Sequence, residues 1–383
     1  MKKNKIKNFC YNAFLGLDID SGGRLKPCCK FEEQYIPHFN ILQGISGYKD
    51  SKFLKDLQNQ FLNDGKPAGC IRCWQEEDAG VKSKRQMDYE RHKDSFDQHD
   101  FTKTEFKNIS LAFGNLCNLS CRICGPASSS KWATEMKKID GKNYPIYEWF
   151  RDHAVMSDIL ENTQQAIHFD IPGGEPLLVD IQEHFDLLQK FKKNNSARNI
   201  SLHYTTNGTN YPKDQHLKTW QAFKEVDIQI SIDDIKERFE YNRWPAKWAT
   251  VYNNIKKFQK LKDQEKNIKL SISFTVSAFT ILYADEFYSW CLAEGLPEPW
   301  MGRLHDPIYY RCSIFPADSK KKIKKKLLMS NHLEVKKLIK YLETDESNHF
   351  KDFKKWIDLL DSKRDQNFNR TFTELSTLLL NKS

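Results

Sequence analysis

Apolar and polar positions alternate along the middle of the chain in a way that predicts strands and something for them to enclose. Val226, Ile228, Ile230 and Ile232 share one face of an extended run, with Asp227, Gln229, Ser231 and Asp233 on the other. Ile272, Phe274 and Val276 against Ser271, Ser273, Thr275 and Ser277 repeat the pattern. Ile167, Phe169 and Ile171 alternate with His168 and Asp170, and Leu202 and Tyr204 with His203 and Thr205. Period-two alternation argues for strands. Runs at 109–113, 166–171, 200–206, 226–233, 268–277 and 300–304, with helical stretches between them, predict parallel pairing. Strands of a parallel sheet covered by helices are ordinarily apolar on both faces. A persistent polar face needs polar contents, which the lumen of a wide, incomplete barrel supplies. An open sheet with one face in water is the alternative, and βα crossovers argue against it.

The flanks read differently. Residues 12–20 and 24–31 surround Ser21-Gly22-Gly23, a hairpin signal. Residues 50–64 carry Phe53, Leu54, Leu57 and Phe61 at helical spacing, and Gly65 follows as a stop. Residues 86–104 are highly charged and read as a linker or surface helix. Beyond Pro316, Val335, Leu338, Ile339 and Leu342 share i, i+3, i+4, i+7 spacing, as do Phe353, Trp356, Ile357 and Leu360. These predict two or three amphipathic helices packed on the barrel. The expected organisation is an N-terminal domain at 1–105, a core at 106–310 and a helical extension at 311–383.

Composition narrows the class. A chain of 383 residues, 39% hydrophobic and 29% charged, suits a soluble globular protein of more than one domain. No run approaches the ~18 apolar residues of a membrane span. Met1 to Asn8 is basic, but Asp18 and Asp20 interrupt any apolar stretch behind it, so no signal peptide and a cytoplasmic place of action are expected. There, ten cysteines point to metal or redox chemistry rather than disulfides. The net charge of +9 is partly concentrated in Lys320, Lys321, Lys322, Lys324, Lys325 and Lys326. RNA is one partner such a run suits. A solvated helix face is preferred, because neither interleaved aromatics nor a nucleic-acid motif accompanies it.

The cysteines fall in two groups. Cys117, Cys121 and Cys124 form a CxxxCxxC loop directly after the strand at 109–113. Three thiolates hold three irons of a [4Fe–4S] cluster and leave the fourth open to a small molecule. A zinc loop would ordinarily bring a second pair. Further turns follow later strands: Pro172-Gly173-Gly174-Glu175-Pro176, Thr205-Thr206-Asn207-Gly208 and Ser231-Ile232-Asp233. The two glycines let backbone approach a ligand, and Glu175 suits an ammonium. All lie at C-terminal strand ends, where α/β barrels place their chemistry. The second group is Cys10, Cys28, Cys70 and Cys73, which the hairpin and the returning helix bring together. Four thiolates fit a fully ligated [4Fe–4S] cluster or a four-cysteine zinc site. Glu76, Glu77 and Arg85 follow close behind, either within reach of that site or as a polar helix. Cys29 is a spare ligand or, preferably, a small buried residue. Cys291 and Cys312 stand alone, and a hydrogen-donor role for either is the less favoured reading.

Taken in order, these motifs resemble the radical S-adenosylmethionine (radical SAM) superfamily over about 300 residues. The resemblance implies an α/β fold with a partial (βα)6 TIM-type barrel and helices after it. Before the barrel, the stretch from Cys10 through Gly23 to Cys28, with its later CxxC, resembles the auxiliary-cluster twitch module, a shortened SPASM module that usually follows the barrel. The resemblance implies a SAM-binding [4Fe–4S] cluster on Cys117, Cys121 and Cys124 and a second, auxiliary [4Fe–4S] cluster on Cys10, Cys28, Cys70 and Cys73. Gly173, Gly174 and Glu175 would meet the amino group of S-adenosyl-L-methionine. Asn207 belongs to the TNG turn, and Ser231 and Asp233 would meet its ribose and carboxylate. Ile123 stands near the adenine, where the family commonly has an aromatic residue. The implied activity is reductive cleavage to a 5′-deoxyadenosyl radical that abstracts hydrogen from a small polar metabolite or a peptide. The implied electron donor is a reductant such as flavodoxin or ferredoxin. The rival is a zinc- or iron–sulfur-stabilised protein that binds nucleic acid or transfers electrons without catalysis. It explains neither the polar strand face nor the turns.

Overall fold

The alternation seen in the sequence reappears as alternating burial in the computed structural model, which describes residues 7–78, 80, 82–178 and 181–380. Residues 1–6, most of the basic N-terminal stretch read above for a signal peptide, lie outside them. The strands are β1 (Gly16–Ile19), β2 (Leu25–Lys26), β3 (Asn108–Leu111), β4 (His168–Ile171), β5 (Ser201–Thr206), β6 (Glu225–Ser231), β7 (Ile268–Val276) and β8 (Trp300–Arg303). In β6, Val226, Ile228 and Ile230 are fully buried, and Asp227, Gln229 and Ser231 are half-buried. The class is mixed α/β with parallel pairing, as expected. Among the described residues no helix is long and apolar enough to cross a membrane.

The chain divides into two compact units. The first comprises Met1–Leu116, Ile146–Tyr204 and Lys213–Val226. Its strands run in the order β2-β1-β3-β4-β5. β1 and β2 are antiparallel, and the other pairs are parallel, with Gly16 opposite Asn108, Asn108 opposite His168 and His168 opposite Ser201. The N-terminal hairpin therefore extends the same sheet that carries β3 and β4. Its turn forms where expected: Asp20 Oδ1 accepts the Gly22 and Arg24 N–H groups, and Gly23 takes φ +81°. The strand arm expected over 12–20 is shorter. Asn12–Leu15 forms one helical turn, wholly buried, because Asn12 Nδ2 donates to buried Asp88 at 2.7 Å.

Helix Lys52–Leu62 meets expectation, capped by Ser51 and burying Leu54, Leu57 and Phe61. The charged stretch at 86–104 is more structural than its composition suggests. It contributes most of helix Lys84–Asp97, opened by a Ser83–Gln86 capping box. That helix buries Asp88 and Phe96. Asn108 Nδ2 of β3 donates to Asn12 Oδ1 at 3.0 Å and approaches Asp88 Oδ2 at 3.4 Å. Here the polar side of the strands is met by a polar helix.

The second unit comprises Cys117–Pro145, Thr205–Pro212 and Asp227–Ser383. Its strands follow β6-β7-β8, with Ser273 parallel to and opposite Trp300. Helix Ser130–Asp140 starts on Ser129, whose side chain accepts the Trp132 N–H. Helices Ala317–Leu328 and Phe350–Arg364 bury Ile323, Leu327, Phe353, Ile357 and Leu360. The helix expected over 335–342 is broken: Leu333–Lys337 is α-helical and Leu338–Leu342 winds into a 3-10 turn, although Val335, Leu338 and Leu342 still bury. On the basic helix, Lys320 pairs with Asp345 and Lys326 with Glu374, while Lys321, Lys322, Lys324 and Lys325 are exposed.

Candidate metal centres

The CxxxCxxC loop is held from several sides within the second unit. Ser120 and Arg122 donate their N–H groups to the carbonyls of Trp244 and Asn242, both at 2.8 Å. Trp132 Nε1 donates to the Cys121 carbonyl at 2.7 Å. The Trp132 ring is covered by the Arg364 guanidinium, which lies 4.9 Å from both the Trp132 and Trp244 ring centres and donates two 2.8 Å bonds to Glu135. Arg122, between the second and third cysteines, is fully buried, with its guanidinium 3.7 Å from the Tyr241 ring centre and bonded to Asp361 and Gln366. Arg364, Asp361 and Gln366 come from the C-terminal extension. Sequence reasoning gave that extension a packing role and missed its grip on this loop, because charged residues near a helix end show no partner in a local pattern.

Donors surround the sulfurs. Leu119 N–H and Asn207 Nδ2 lie 3.5 and 3.9 Å from Cys117 Sγ. Asn207 also donates to Asn118 Oδ1 at 3.0 Å and accepts the Thr209 N–H, so the turn after β5 is fastened to the cysteine loop. Gly208 is required there: at φ +73°, a Cβ would lie 2.9 Å from Ile230 Cγ2. Burial pushes the Cys121 and Cys124 thiols up, and the Arg243 guanidinium pulls both back. Arg243, in turn, is opposed by burial and raised overall by Asp233 and the two thiols. It pairs with Asp233 at 2.8 Å, both groups being buried. Asp233 also accepts the Thr275 N–H at 2.8 Å. Arg243 is a site residue the sequence did not reveal, since only the fold brings residues 242–244 back to the loop. Ser231 and Ile123 are half-buried.

The Gly173-Gly174-Glu175 turn belongs to the first unit. Both glycines are held by close packing. Gly173 (φ +83°) would place a Cβ 2.6 Å from Ala112 Cβ, and Gly174 (φ +50°) would place one 2.3 Å from the Leu116 carbonyl oxygen. Glu175 is fully buried, its N–H donating to Leu116 at 2.8 Å and its Oε1 accepting the Leu177 N–H at 3.0 Å. The turn thus seats on residues 112–116, immediately before Cys117. Gly174→Ala is expected to cost about 1–3 kcal/mol from strain at this turn. Denaturant titration of the metal-free chain measures it, and an unchanged midpoint would show that the turn relaxes freely.

The second group converges as the spacing implied. Cys10, Cys28, Cys70 and Cys73 line one cavity in the first unit, with Lys30, Lys84 and Arg85 on its wall. Burial pushes Cys10 up to about 12, with further upward pressure from Cys73. Cys28 is raised by burial, then by Cys29 and the other three thiols of the set, and Cys70 by burial, then by Cys10 and Cys73. No group of three or more His, Cys, Asp or Glu side chains among the described residues is placed to hold a single metal ion. Arg85 also bonds Glu77 at 2.5 Å and the Phe9 carbonyl at 2.7 Å, and Lys30 pairs with Glu76 at 3.2 Å. The acidic residues after Cys73 therefore reach the site through its cations. Cys29, preferred as a small buried residue, is exposed and lines a neighbouring polar cavity together with Cys28. Cys291 and Cys312 are buried in the core, both thiols pushed up to about 12 by burial.

Residues 108–254 match the family model of a 4Fe-4S single cluster domain. That stretch contains Cys117, Cys121 and Cys124 and no other cysteine. No curated protein sequence matches the chain. Among solved structures, native anSMEcpe with bound AdoMet aligns at 23% identity and TM-score 0.42, over 57% of this chain and 58% of that one. Streptococcus suis SuiB bound to S-adenosylmethionine aligns at 13% identity and TM-score 0.38, over 72% of this chain and 59% of that one. The chain therefore spans less than two thirds of the length of these structures.

Proposed function

We propose that the chain is a radical SAM enzyme with two iron–sulfur sites. The observation that carries the reading is that the stretch matching a single-cluster 4Fe-4S domain has only Cys117, Cys121 and Cys124 to ligate the cluster. Three ligands leave one iron for a small molecule. When bound there, S-adenosylmethionine supplies one-electron cleavage to methionine and a 5′-deoxyadenosyl radical. The chain's own residues do the rest. Leu119 N–H and Asn207 Nδ2 donate toward Cys117 Sγ, and donors to a cluster's sulfurs tune its potential. Arg243 offsets negative charge at Cys121 and Cys124. By resemblance, Gly173, Gly174 and Glu175 serve the methionine amino group, Ser231 and Asp233 the ribose and carboxylate, and Ile123 the adenine. The half-buried polar side of the strands would hold a small polar metabolite or a peptide, shielded so that a radical is not quenched. The partial barrel is assigned to 106–310, the twitch-like domain to 1–105 and the clamping helices to 311–383.

The four-thiol site is assigned a second [4Fe–4S] cluster. Its thiols ring a cavity, and Lys30, Lys84 and Arg85 offset the negative charge that four thiolates and a cluster carry. Zinc is the competing occupant and would draw the thiols onto one ion. Anaerobic reconstitution followed by metal analysis decides between them: about eight irons per chain for two clusters, against about four irons and one zinc for the mixed alternative. Zinc without any iron would remove the enzymatic reading as well.

A further inference from the structure

A run of lysines on a surface helix is by itself a solvated face. In the second unit, the structure shows what stands at the end of that run. Helix Ala317–Leu328 buries Ser319, Ile323 and Leu327 and leaves Lys321, Lys322, Lys324 and Lys325 exposed. None of these four makes an ion pair among the described residues. Carboxylates on the neighbouring segments are engaged by other lysines: Asp345 by Lys320, Glu374 by Lys326 and Glu334 by Lys337. Asp318 and Glu343 are exposed and unpaired, and Lys336 and Lys340 of the following segment offset them. The helix then runs out into large apolar side chains. Leu328, Met329 and Leu333 are 53%, 75% and 66% exposed.

The turn that carries them is bonded in place. Ser330 Oγ accepts the His332 N–H at 3.0 Å and donates to Asp285. The His332 ring stacks on Tyr288 with centres 4.3 Å apart, and its Nε2 lies 3.1 Å from Ser289 Oγ. One turn beyond Ser289 on its helix, Leu292 is a fourth exposed apolar side chain, at 44%. A fixed apolar cluster in water, rimmed by unpaired lysines, has the composition of a contact surface. Its residue types discriminate among occupants. Residues 317–333 contain no Arg, Phe, Tyr or Trp. Single-stranded nucleic acid asks for aromatic rings to stack on. Protein interfaces favour aromatics and Arg and disfavour Lys. A second copy of this chain would bring like-charged lysines together. An anionic bilayer suits both halves of the patch. Lysines stay hydrated among headgroup phosphates, while aliphatic side chains reach the acyl boundary.

We infer that this face docks on an anionic phospholipid bilayer, with Lys321, Lys322, Lys324 and Lys325 over the headgroups and Leu328, Met329 and Leu333 entering the acyl boundary. The contact is peripheral, because Ser319, Ile323 and Leu327 keep the inner face of the helix packed on the protein. It is independent of the cluster chemistry and is tested apart from it.

Vesicle flotation of the full, anaerobically reconstituted chain provides the test. One set of vesicles is phosphatidylcholine alone, and the other is equal parts phosphatidylcholine and phosphatidylglycerol. The chain is expected to float with the anionic vesicles at about 0.1 M salt, to bind them more weakly at about 1 M, and to stay behind with neutral ones. Lys321→Gln, Lys322→Gln, Lys324→Gln and Lys325→Gln together should weaken binding by at least about a hundredfold, at about fivefold per lysine. Leu328→Ser, Met329→Ser and Leu333→Ser together leave the charge unchanged and should weaken it by at least about tenfold. All of these side chains are exposed, and unchanged circular dichroism and iron content verify that both variants fold. Failure to float with anionic vesicles overturns the inference. Flotation that the serine substitutions leave unchanged overturns it too, and tighter binding to poly-uridine would then name nucleic acid as the partner. Dimerisation without flotation, abolished by the serine substitutions, would assign the face to a second copy.

Discussion

Replacing Cys117, Cys121 and Cys124 together with Ala is expected to abolish reductive formation of 5′-deoxyadenosine and to lower the iron content from about eight to about four per chain. The two parts of the result separate the two thiol sets. The triple substitution touches only residues of the second unit, while Cys10, Cys28, Cys70 and Cys73 all belong to the first and line their own cavity. Loss of cleavage with retention of four irons assigns the open iron to the CxxxCxxC loop. Cleavage that persists at the parent rate would remove that assignment. Loss of all iron would mean that the four-thiol cavity does not assemble a cluster by itself. The effect should be all-or-none. A cluster held by three protein ligands cannot be replaced by methyl groups, and nothing else in residues 108–254 supplies a thiolate.

What the sequence revealed and what it hid follow from the range of each signal. Period-two alternation is local, so β4 to β7 were legible to within a few residues, and the polar face along Asp227, Gln229 and Ser231 appears in the burial of β6. The four-cysteine cavity was legible because turn chemistry at Ser21-Gly22-Gly23 and the end of helix Lys52–Leu62 set where the chain doubles back. Asn12–Leu15 was misjudged because its conformation is decided by Asp88, which lies 76 residues away. The same applies to helix Lys84–Asp97. Its charges look solvated in a linear reading, yet Asp88 is buried against Asn12 and Asn108. Arg243 and the Arg122–Asp361 pair were invisible for a related reason. A buried arginine is tolerated only where a distant chain segment supplies its partner, and no local pattern announces that segment.

Arg122→Ala tests how much the C-terminal extension contributes to the cysteine loop, and it should cost about 3–5 kcal/mol. Arg122 is fully buried. Its Nη2 donates to Asp361 Oδ1 at 2.5 Å and to Gln366 Oε1 at 2.9 Å, and its Nε to the Tyr241 carbonyl at 3.3 Å. Asp361 also accepts the Tyr241 hydroxyl at 2.8 Å and the Phe368 N–H at 2.6 Å, so the carboxylate is held beside the place the guanidinium leaves. Truncation therefore strands a carboxylate and opens a hole under the Tyr241 ring. The remedy is asymmetric. Arg122→Met refills the hole but leaves the charge, whereas adding Asp361→Asn to Arg122→Met removes the charge and keeps its hydrogen-bonding shape. The double variant is expected to recover more than half of the loss, because the penalty comes from the unpaired partner more than from the missing pair. Urea titration of the metal-free chains, fitted as a double-mutant cycle, measures both quantities. A loss below about 1 kcal/mol for Arg122→Ala would place this pair with surface ion pairs in its effect. Phe350–Arg364 would then be packed against the loop without constraining it. A loss in the expected range, accompanied by slower cluster assembly on Cys121 and Cys124, would make the last helices part of the metal site rather than an appendage to it.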